Sequence, residues 1–123
     1  MRTIKFRGRK PNNEWLYGNL IHNQQDYFIF PVEAPNSYDY YRVCVETVGE
    51  FTGFTDKNAV EIYEGDIVKV DIFTKNYCIV FGESKKWGAS FQYKSDYSIY
   101  YLTENFAKDC VVVGNIYENP ELL

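Results

Sequence analysis

The chain has 123 residues and a mass of 14.5 kDa; 46% of its residues are hydrophobic and 19% are aromatic. This length and composition suffice for one or two small domains with cores of their own, so intrinsic disorder is not expected. Acidic residues exceed basic ones, 17 to 13, and the net charge of −4 argues against general affinity for nucleic acid or for an anionic membrane.

The N-terminal part has the alternation of apolar and polar residues that is typical of β-strands. The first predicted strand runs from Thr3 to Arg9 and places Ile4 and Phe6 on one face. Its opposite, solvent-facing side holds a row of cations at about 7 Å intervals. These cations are Lys5, Arg7 and Arg9. Three more strands are predicted over about Trp15 to Ile21, Tyr27 to Phe30 and Arg42 to Val48.

The stretch from Thr52 to Asn58 lacks an apolar run, and we interpret it as a connection between domains 1–52 and 54–123. Short strands follow at regular intervals, as in a small barrel or sandwich. They cover about Ile67 to Phe73, Tyr77 to Phe81, Trp87 to Tyr93, Ser98 to Leu102 and Val111 to Tyr117. One short helix is predicted up to Asp109, with Thr103 as its N-cap. The expected core residues are Trp15, Tyr17, Val68, Val70, Ile79, Phe91, Val112 and Ile116.

The N-terminus and the cysteines indicate the cellular compartment. The first residues lack the apolar stretch and cleavage site of a signal peptide, and no apolar run reaches the length of a membrane-spanning helix. The three cysteines are odd in number and form no CxxC pair, so they suggest neither a disulfide framework nor a zinc site. They are Cys44, Cys78 and Cys110. We expect a protein of the reduced cytoplasm that does not bind membranes.

Residues for catalysis or metal binding form no recognisable motif. His22 is the only histidine, and no nucleophile motif lies near it. Glu61, Glu64 and Asp66 flank a Gly-Asp turn and could form an acid/base pair or a cation site, but turn carboxylates are usually caps. The segment from Asp56 begins like a calcium loop and then departs from that pattern. We predict no catalytic residue, no metal site and no cofactor, and we do not expect an enzyme.

Two surfaces could bind a partner. The row of Lys5, Arg7 and Arg9 could contact nucleic acid, protect the edge of a sheet from other chains, or simply be solvated. A cluster of tyrosines near a turn could form a subunit interface or stack on bases. We favour the interface, because no cation lies between these tyrosines in the sequence. The residues are Tyr97, Tyr100 and Tyr101.

Six segments, in order and spread over the whole chain, resemble the YopX protein family. They are RTIKFR (2–7), WLYGNLI (15–21), ETVGEFTG (46–53), DKN (56–58), EIYEGDIV (61–68) and GNIYENPELL (114–123). The resemblance implies a mainly β fold with an SH3-like barrel in the later part, and an origin in a bacteriophage or prophage. It implies no biochemical activity and no catalytic residue.

This chain departs from the family pattern in one turn and in two longer segments. Ala59 stands where glycine is expected, so we predict that Asn58 takes the left-handed conformation or that the turn changes type. Segments 23–43 and 74–109 match only in character, and we expect partner specificity there.

Together these observations predict a mainly β protein with little helix, in which an N-terminal β unit packs on a C-terminal SH3-like barrel. The expected function is that of a phage accessory protein that acts by binding, with self-association into a homo-oligomer as the expected mode. The alternative is a small β-barrel protein that binds nucleic acid.

Overall fold

The computed structural model describes residues 2–32, 39–84 and 88–123, except for the side chain of Ser84. The protein is mainly β, as predicted, with two antiparallel sheets. The chain divides into two compact units, Met1–Phe51 and Thr52–Leu123, which we call unit 1 and unit 2.

Unit 1 is built from four strands that pair in a closed ring. These strands are β1 (Phe6–Arg9), β2 (Trp15–Asn23), β3 (Asp26–Pro31) and the larger part of β4 (Tyr41–Thr55). Each strand pairs with the next, and β1 also pairs with β4. Strand β1 therefore has a hydrogen-bonded neighbour on both sides, so the interpretation of its cations as protection of a sheet edge is wrong.

The pairing of β1 with β4 contains a bulge. Arg7 lies opposite Gly49, but Arg9 lies opposite Cys44, so β4 has extra residues between these two pairs. The buried Thr47 stabilises the bulge, because its Oγ1 accepts the Arg9 N–H at 2.8 Å and donates to the Cys44 carbonyl at 2.6 Å. Such bulges bend a strand locally while its polar groups stay bonded.

Unit 2 contains the second sheet. Its further elements are β5 (Glu61–Tyr63), β6 (Asp66–Lys69), β7 (Tyr77–Ser84), β8 (Gly88–Lys94), β9 (Ile99–Tyr101), α1 (Glu104–Asp109), β10 (Val111–Asn115) and a 3-10 helix, Pro120–Leu122. Strand β5 pairs with β4, and the sheet order of the others is β10-β6-β7-β8-β9. The last strand thus returns to pair with β6, which is consistent with the predicted SH3-like barrel. Strands β9 and β10 lie at the two ends of this order.

The core of unit 2 includes three of the predicted residues. Val68, Val70 and Ile79 are buried, together with Leu102 and the helical Ala107. The other predicted core residues are only half-buried. They are Trp15, Tyr17, Phe91, Val112 and Ile116.

Several predicted boundaries differ from the structure. The predicted connection from residue 52 is partly strand, because β4 continues to Thr55. Strand β6 ends at Lys69 rather than Phe73, and Ile72 beyond it is exposed. Trp87, the predicted start of β8, lies outside the described residues.

The short helix α1 was predicted correctly. Its N-cap is Thr103, whose Oγ1 accepts the Phe106 N–H at 3.2 Å. Among the described helices, none has both the length and the apolar composition that crossing a membrane requires.

The turn between β4 and β5 corrects the prediction for Asn58. Ala59 itself has φ of 64°, in the left-handed region. The turn is held by Asp56: its Oδ1 accepts the N–H of Asn58 at 2.8 Å and of Val60 at 3.0 Å, and its Oδ2 accepts the N–H of Val112 at 2.9 Å. Three hydrogen bonds to one buried carboxylate offset the cost of a positive φ at alanine.

Candidate functional site

The N-terminal cations contact aromatic rings of unit 1. The distances from the charged group to the ring centroid are 5.4 Å for Lys5 on Phe51, 4.7 Å for Arg7 on Trp15, 5.8 Å for Arg9 on Trp15 and 4.9 Å for Lys10 on Tyr41. Such cation–π contacts stabilise the charge by an electrostatic attraction to the ring face. Each of these cations is therefore held by an aromatic ring of the same unit.

The prediction that a row of cations faces solvent is wrong for its middle residue, Arg7. Arg7 is only 5% exposed, whereas Ile4, which was predicted on the buried face, is 58% exposed. One reason is that the Trp15 ring covers the guanidinium of Arg7. Lys5 and Arg9 are half-buried, and their contact with nucleic acid stays a prediction.

The predicted tyrosine cluster lies on and beside β9. We call this the β9 surface. Its exposed fractions are 83% for Tyr97, 55% for Ile99, 50% for Tyr100 and 48% for Tyr101. Because β9 is an end strand of its sheet and all three of its residues are exposed, the β9 surface combines a sheet edge with large apolar side chains.

Stacked rings hold one tyrosine of the β9 surface in place. Tyr100 lies opposite Tyr93 in the sheet and stacks on it, with ring centroids 5.2 Å apart. Tyr93 in turn stacks on Phe106 of α1, at 3.6 Å and 6° between the ring planes. Burial, with smaller contributions from Tyr77 and Tyr100, raises the pKa of Tyr93. The ring of Tyr100 is thus positioned before any partner arrives.

Two residues next to these tyrosines were missed from the sequence. Ile99 adds an exposed apolar side chain to the same strand. Lys75, from the loop before β7, lies over the Tyr97 ring at 4.0 Å from its centroid. No sequence signal connects Lys75 to Tyr97, because only the folded sheet brings their loops together.

The carboxylates of the Gly-Asp turn contact groups of that turn. Asp66 is buried, and its Oδ2 accepts the Tyr63 N–H at 2.7 Å. Glu61 Oε1 accepts a hydrogen bond from the Tyr63 hydroxyl at 3.1 Å. The predicted role of the Asp as a cap of this turn is confirmed. Within the described residues, no group of three or more His, Cys, Asp or Glu side chains has an arrangement that could hold a metal ion.

Unit 2 also contains a cleft of about 750 Å³, which sequence reasoning did not find. Its floor is the β7–β8 hairpin, where Cys78 lies opposite Lys94 in the sheet. One wall is the C-terminal segment, fixed by a hydrogen bond of 2.9 Å from Asn76 Nδ2 to the Leu122 carbonyl. This volume falls in the range of small-molecule sites, about 300–1,000 Å³.

The thiol in the floor of the cleft is a weak acid. Burial, and then the charge of Asp66, raises the pKa of Cys78 to about 11, while Lys94 opposes the shift. The thiol of Cys78 is therefore neutral at physiological pH, and we assign it no role as a nucleophile.

The comparisons with known proteins agree with this architecture. The model of the YopX family, described as YopX protein, matches residues 5–123. The chain belongs to the YopX protein family. A crystal structure of protein EF1440 from Enterococcus faecalis is similar to this YopX-family chain at 22% identity and a TM-score of 0.50, covering 100% of this chain and 99% of the other. At this identity the likeness concerns the fold alone. No curated protein matches the chain.

Proposed function

We propose that this YopX-family chain is a non-catalytic phage or prophage accessory protein, which self-associates through the β9 surface into a symmetric homo-oligomer in the bacterial cytoplasm. The observation that carries the proposal is the exposure of every residue of an end strand, β9, with Tyr97 beside it. The phage origin and the location are those that the family resemblance and the sequence imply.

The chemistry of a sheet edge supports self-association. An end strand has N–H and C=O groups that can pair with a strand of another chain. Two copies of β9 can pair antiparallel about a two-fold axis, which makes the contact self-complementary and closed. Tyrosine is enriched in protein interfaces, and a ring that is already positioned, as Tyr100 is by Tyr93, loses less conformational entropy on binding.

Light scattering after size-exclusion chromatography, from low to high micromolar concentration, tests this proposal. We expect a dimer or larger oligomer, and we expect Ile99→Lys and Tyr101→Lys to weaken association by roughly 10-fold or more, because each places a charge in the interface. The matched control is Val113→Lys, an exposed residue of β10 at the opposite end of the sheet, which should associate like the wild type. A wild-type monomer at every concentration would contradict the proposal.

The alternative, a nucleic-acid-binding protein, has less support. Arg7 is buried, so at most Lys5 and Arg9 of the predicted row can reach a phosphate. Salt-sensitive binding to single strands, duplex or RNA that the Lys5→Ala and Arg9→Ala variants weaken would favour this alternative.

A further inference from the structure

We infer that two copies of the chain join their second sheets edge to edge, with strand β9 antiparallel to β9 of the second copy and the two-fold axis passing beside Tyr100. In this register Tyr100 lies opposite Tyr100 of the second copy, and Ile99 lies opposite Tyr101 of the second copy. The inference rests on the proposed self-association and adds to it which backbone groups bond and which side chains meet.

The pairing of β9 with β8 determines which backbone groups of β9 point outward. The Leu102 N–H donates to the Phe91 carbonyl at 3.0 Å, two positions beyond Tyr100 in the same ladder. Hydrogen-bonded pairs recur at every second residue of an antiparallel ladder, so Tyr100 directs its N–H and C=O toward β8. The N–H and C=O groups of Ile99 and Tyr101 therefore point away from β8, toward the outer side of the sheet.

The length of β9 determines the register. The strand has three residues, Ile99–Tyr101, so a two-fold axis at the middle one pairs the whole strand, whereas an axis at another residue leaves part of it unmatched. The outward groups of Ile99 then meet those of Tyr101 in the second copy, and the symmetry repeats this contact. Each of the two Ile99–Tyr101 pairs exchanges both of its backbone hydrogen bonds.

The side chains of β9 are complementary to themselves in this register. Tyr100 is the outer ring of a stack that runs from Phe106 through Tyr93, with centroid distances of 3.6 Å and 5.2 Å. The Cβ atoms of directly opposite residues lie about 4.5–5.5 Å apart, so the two Tyr100 rings meet and join the two stacks. On the other face of the sheet, the exposed Ile99 packs beside Tyr101 of the second copy.

The two ends of the sheet differ in their protection against such pairing. At β10, Asp56 Oδ2 accepts the Val112 N–H at 2.9 Å, and the Lys57 N–H donates at 3.0 Å to the carbonyl of Cys110, just before the strand. Strand β9 contains neither a charged residue nor a proline, which are the residues that keep natural edge strands from pairing with other chains. Two copies of β9 therefore meet at the axis with no like charges opposed.

Disulfide cross-linking in oxidised glutathione tests the register. Opposite Cα atoms lie about 4.5 Å apart at the 100–100 pair and about 5.5 Å apart at the 99–101 pairs, both within the reach of a disulfide. We expect Tyr100→Cys to form a covalent dimer. A mixture of Ile99→Cys with Tyr101→Cys should also form one, whereas either of these alone should not, because its two copies lie diagonally, about 7–8 Å apart.

Two controls separate failure of the register from failure of self-association. The wild type keeps its free cysteines, among them the half-buried Cys44 and Cys78, and should stay unlinked. Light scattering on the same samples before oxidation gives their oligomeric state. An oligomer in which neither Tyr100→Cys nor the mixture cross-links would overturn the register and leave self-association standing. A wild-type monomer at every concentration would overturn both.

A proline at residue 99 tests the backbone hydrogen bonds. Ile99→Pro removes an N–H that points away from β8, so the ladder between β8 and β9 keeps its bonds. We expect association to weaken by about 10-fold or more, with an unchanged far-ultraviolet circular dichroism spectrum. Ile99→Val keeps the N–H and most of the apolar side chain, so this matched control should associate nearly like the wild type. Association that Ile99→Pro leaves unchanged would overturn the inferred pairing.

Discussion

Strand β1 of unit 1 and strand β9 of unit 2 are both short strands beside aromatic rings, yet their partners differ. Strand β1 has a neighbour on both sides, and its central cation, Arg7, is buried under Trp15. Strand β9 is the end of its sheet, and its residues stay exposed. Pairing on both sides occupies the backbone groups of a strand, whereas the rings packed on its faces decide which side chains remain available to a partner.

The largest expected effect distinguishes the two strands by stability. Arg7→Ala removes a buried side chain together with its contact to Trp15 and should lower the free energy of unfolding by about 3 kcal/mol. Tyr97→Ala, at the most exposed ring of the β9 surface, should cost less than about 0.5 kcal/mol. Urea unfolding followed by circular dichroism measures both. Equal losses of the free energy of unfolding in the two variants would contradict this difference between β1 and the β9 surface.

A smaller effect tests how closely β1 is packed. A Cβ at Gly8 would lie 2.7 Å from Val43 Cγ2, so Gly8→Ala forces the side chain of Val43 or the strand itself to shift. We expect a loss of about 2 kcal/mol in the free energy of unfolding. Adding Val43→Ala to this variant should make the second substitution less costly than it is alone, because it removes the contacts with the two γ-carbons and leaves only the one with the Cβ, at 2.9 Å. A fully tolerated Gly8→Ala would show that β1 has room on this side.

The smallest effect concerns alkaline pH and unit 2. Burial raises the pKa of Cys110 to about 12 and that of Cys78 to about 11, above their ordinary 9.0. Between pH 9 and the raised pKa values, the unfolded chain loses thiol protons that the folded chain retains. The free energy of unfolding is therefore highest below pH 9 and falls as the pH rises. Removing one thiol by Cys110→Ala should reduce the loss between pH 8 and pH 10 by about 1 kcal/mol.

The slope of the free energy of unfolding with pH separates the ionisation of the thiol from the loss of packing. Cys110→Ala also removes a buried side chain, but that cost is the same at every pH. Urea midpoints at pH 8 and pH 10 for the wild type, for Cys110→Ala and for Cys44→Ala in unit 1 give the comparison. A pH slope that Cys110→Ala leaves unchanged would mean that this thiol ionises equally in both states.

Local signals predicted part of the structure well. The N-cap at Thr103 and the cap at Asp66 depend on hydrogen bonds to residues three positions away, so the sequence is enough to find them. The burial of Arg7 could not be found in this way, because alternation along a strand does not say how many strands flank it or what covers each face.

Of the candidate sites, too, one was predicted from the sequence and one was not. An outward-facing ring at Tyr100 or Tyr101 was predicted, since neighbouring residues of a strand point to opposite faces, and the structure exposes both of them as well as Tyr97. The cleft was not predicted, because its lining comes from three segments of the chain. These segments meet only through the pairing of β7 with β8 and the hydrogen bond from Asn76 to Leu122. The left-handed Ala59 was also missed, since Val112 lies far along the chain from the turn that it helps to hold.

The bond from Val112 to Asp56 has a consequence for synthesis of the protein on the ribosome. Strand β10 supplies the third N–H to the Asp56 carboxylate and also pairs with β6, near the start of the unit. The turn at residue 56 therefore emerges long before the strand that completes it. Unit 2 therefore reaches its final fold only after β10 has left the exit tunnel.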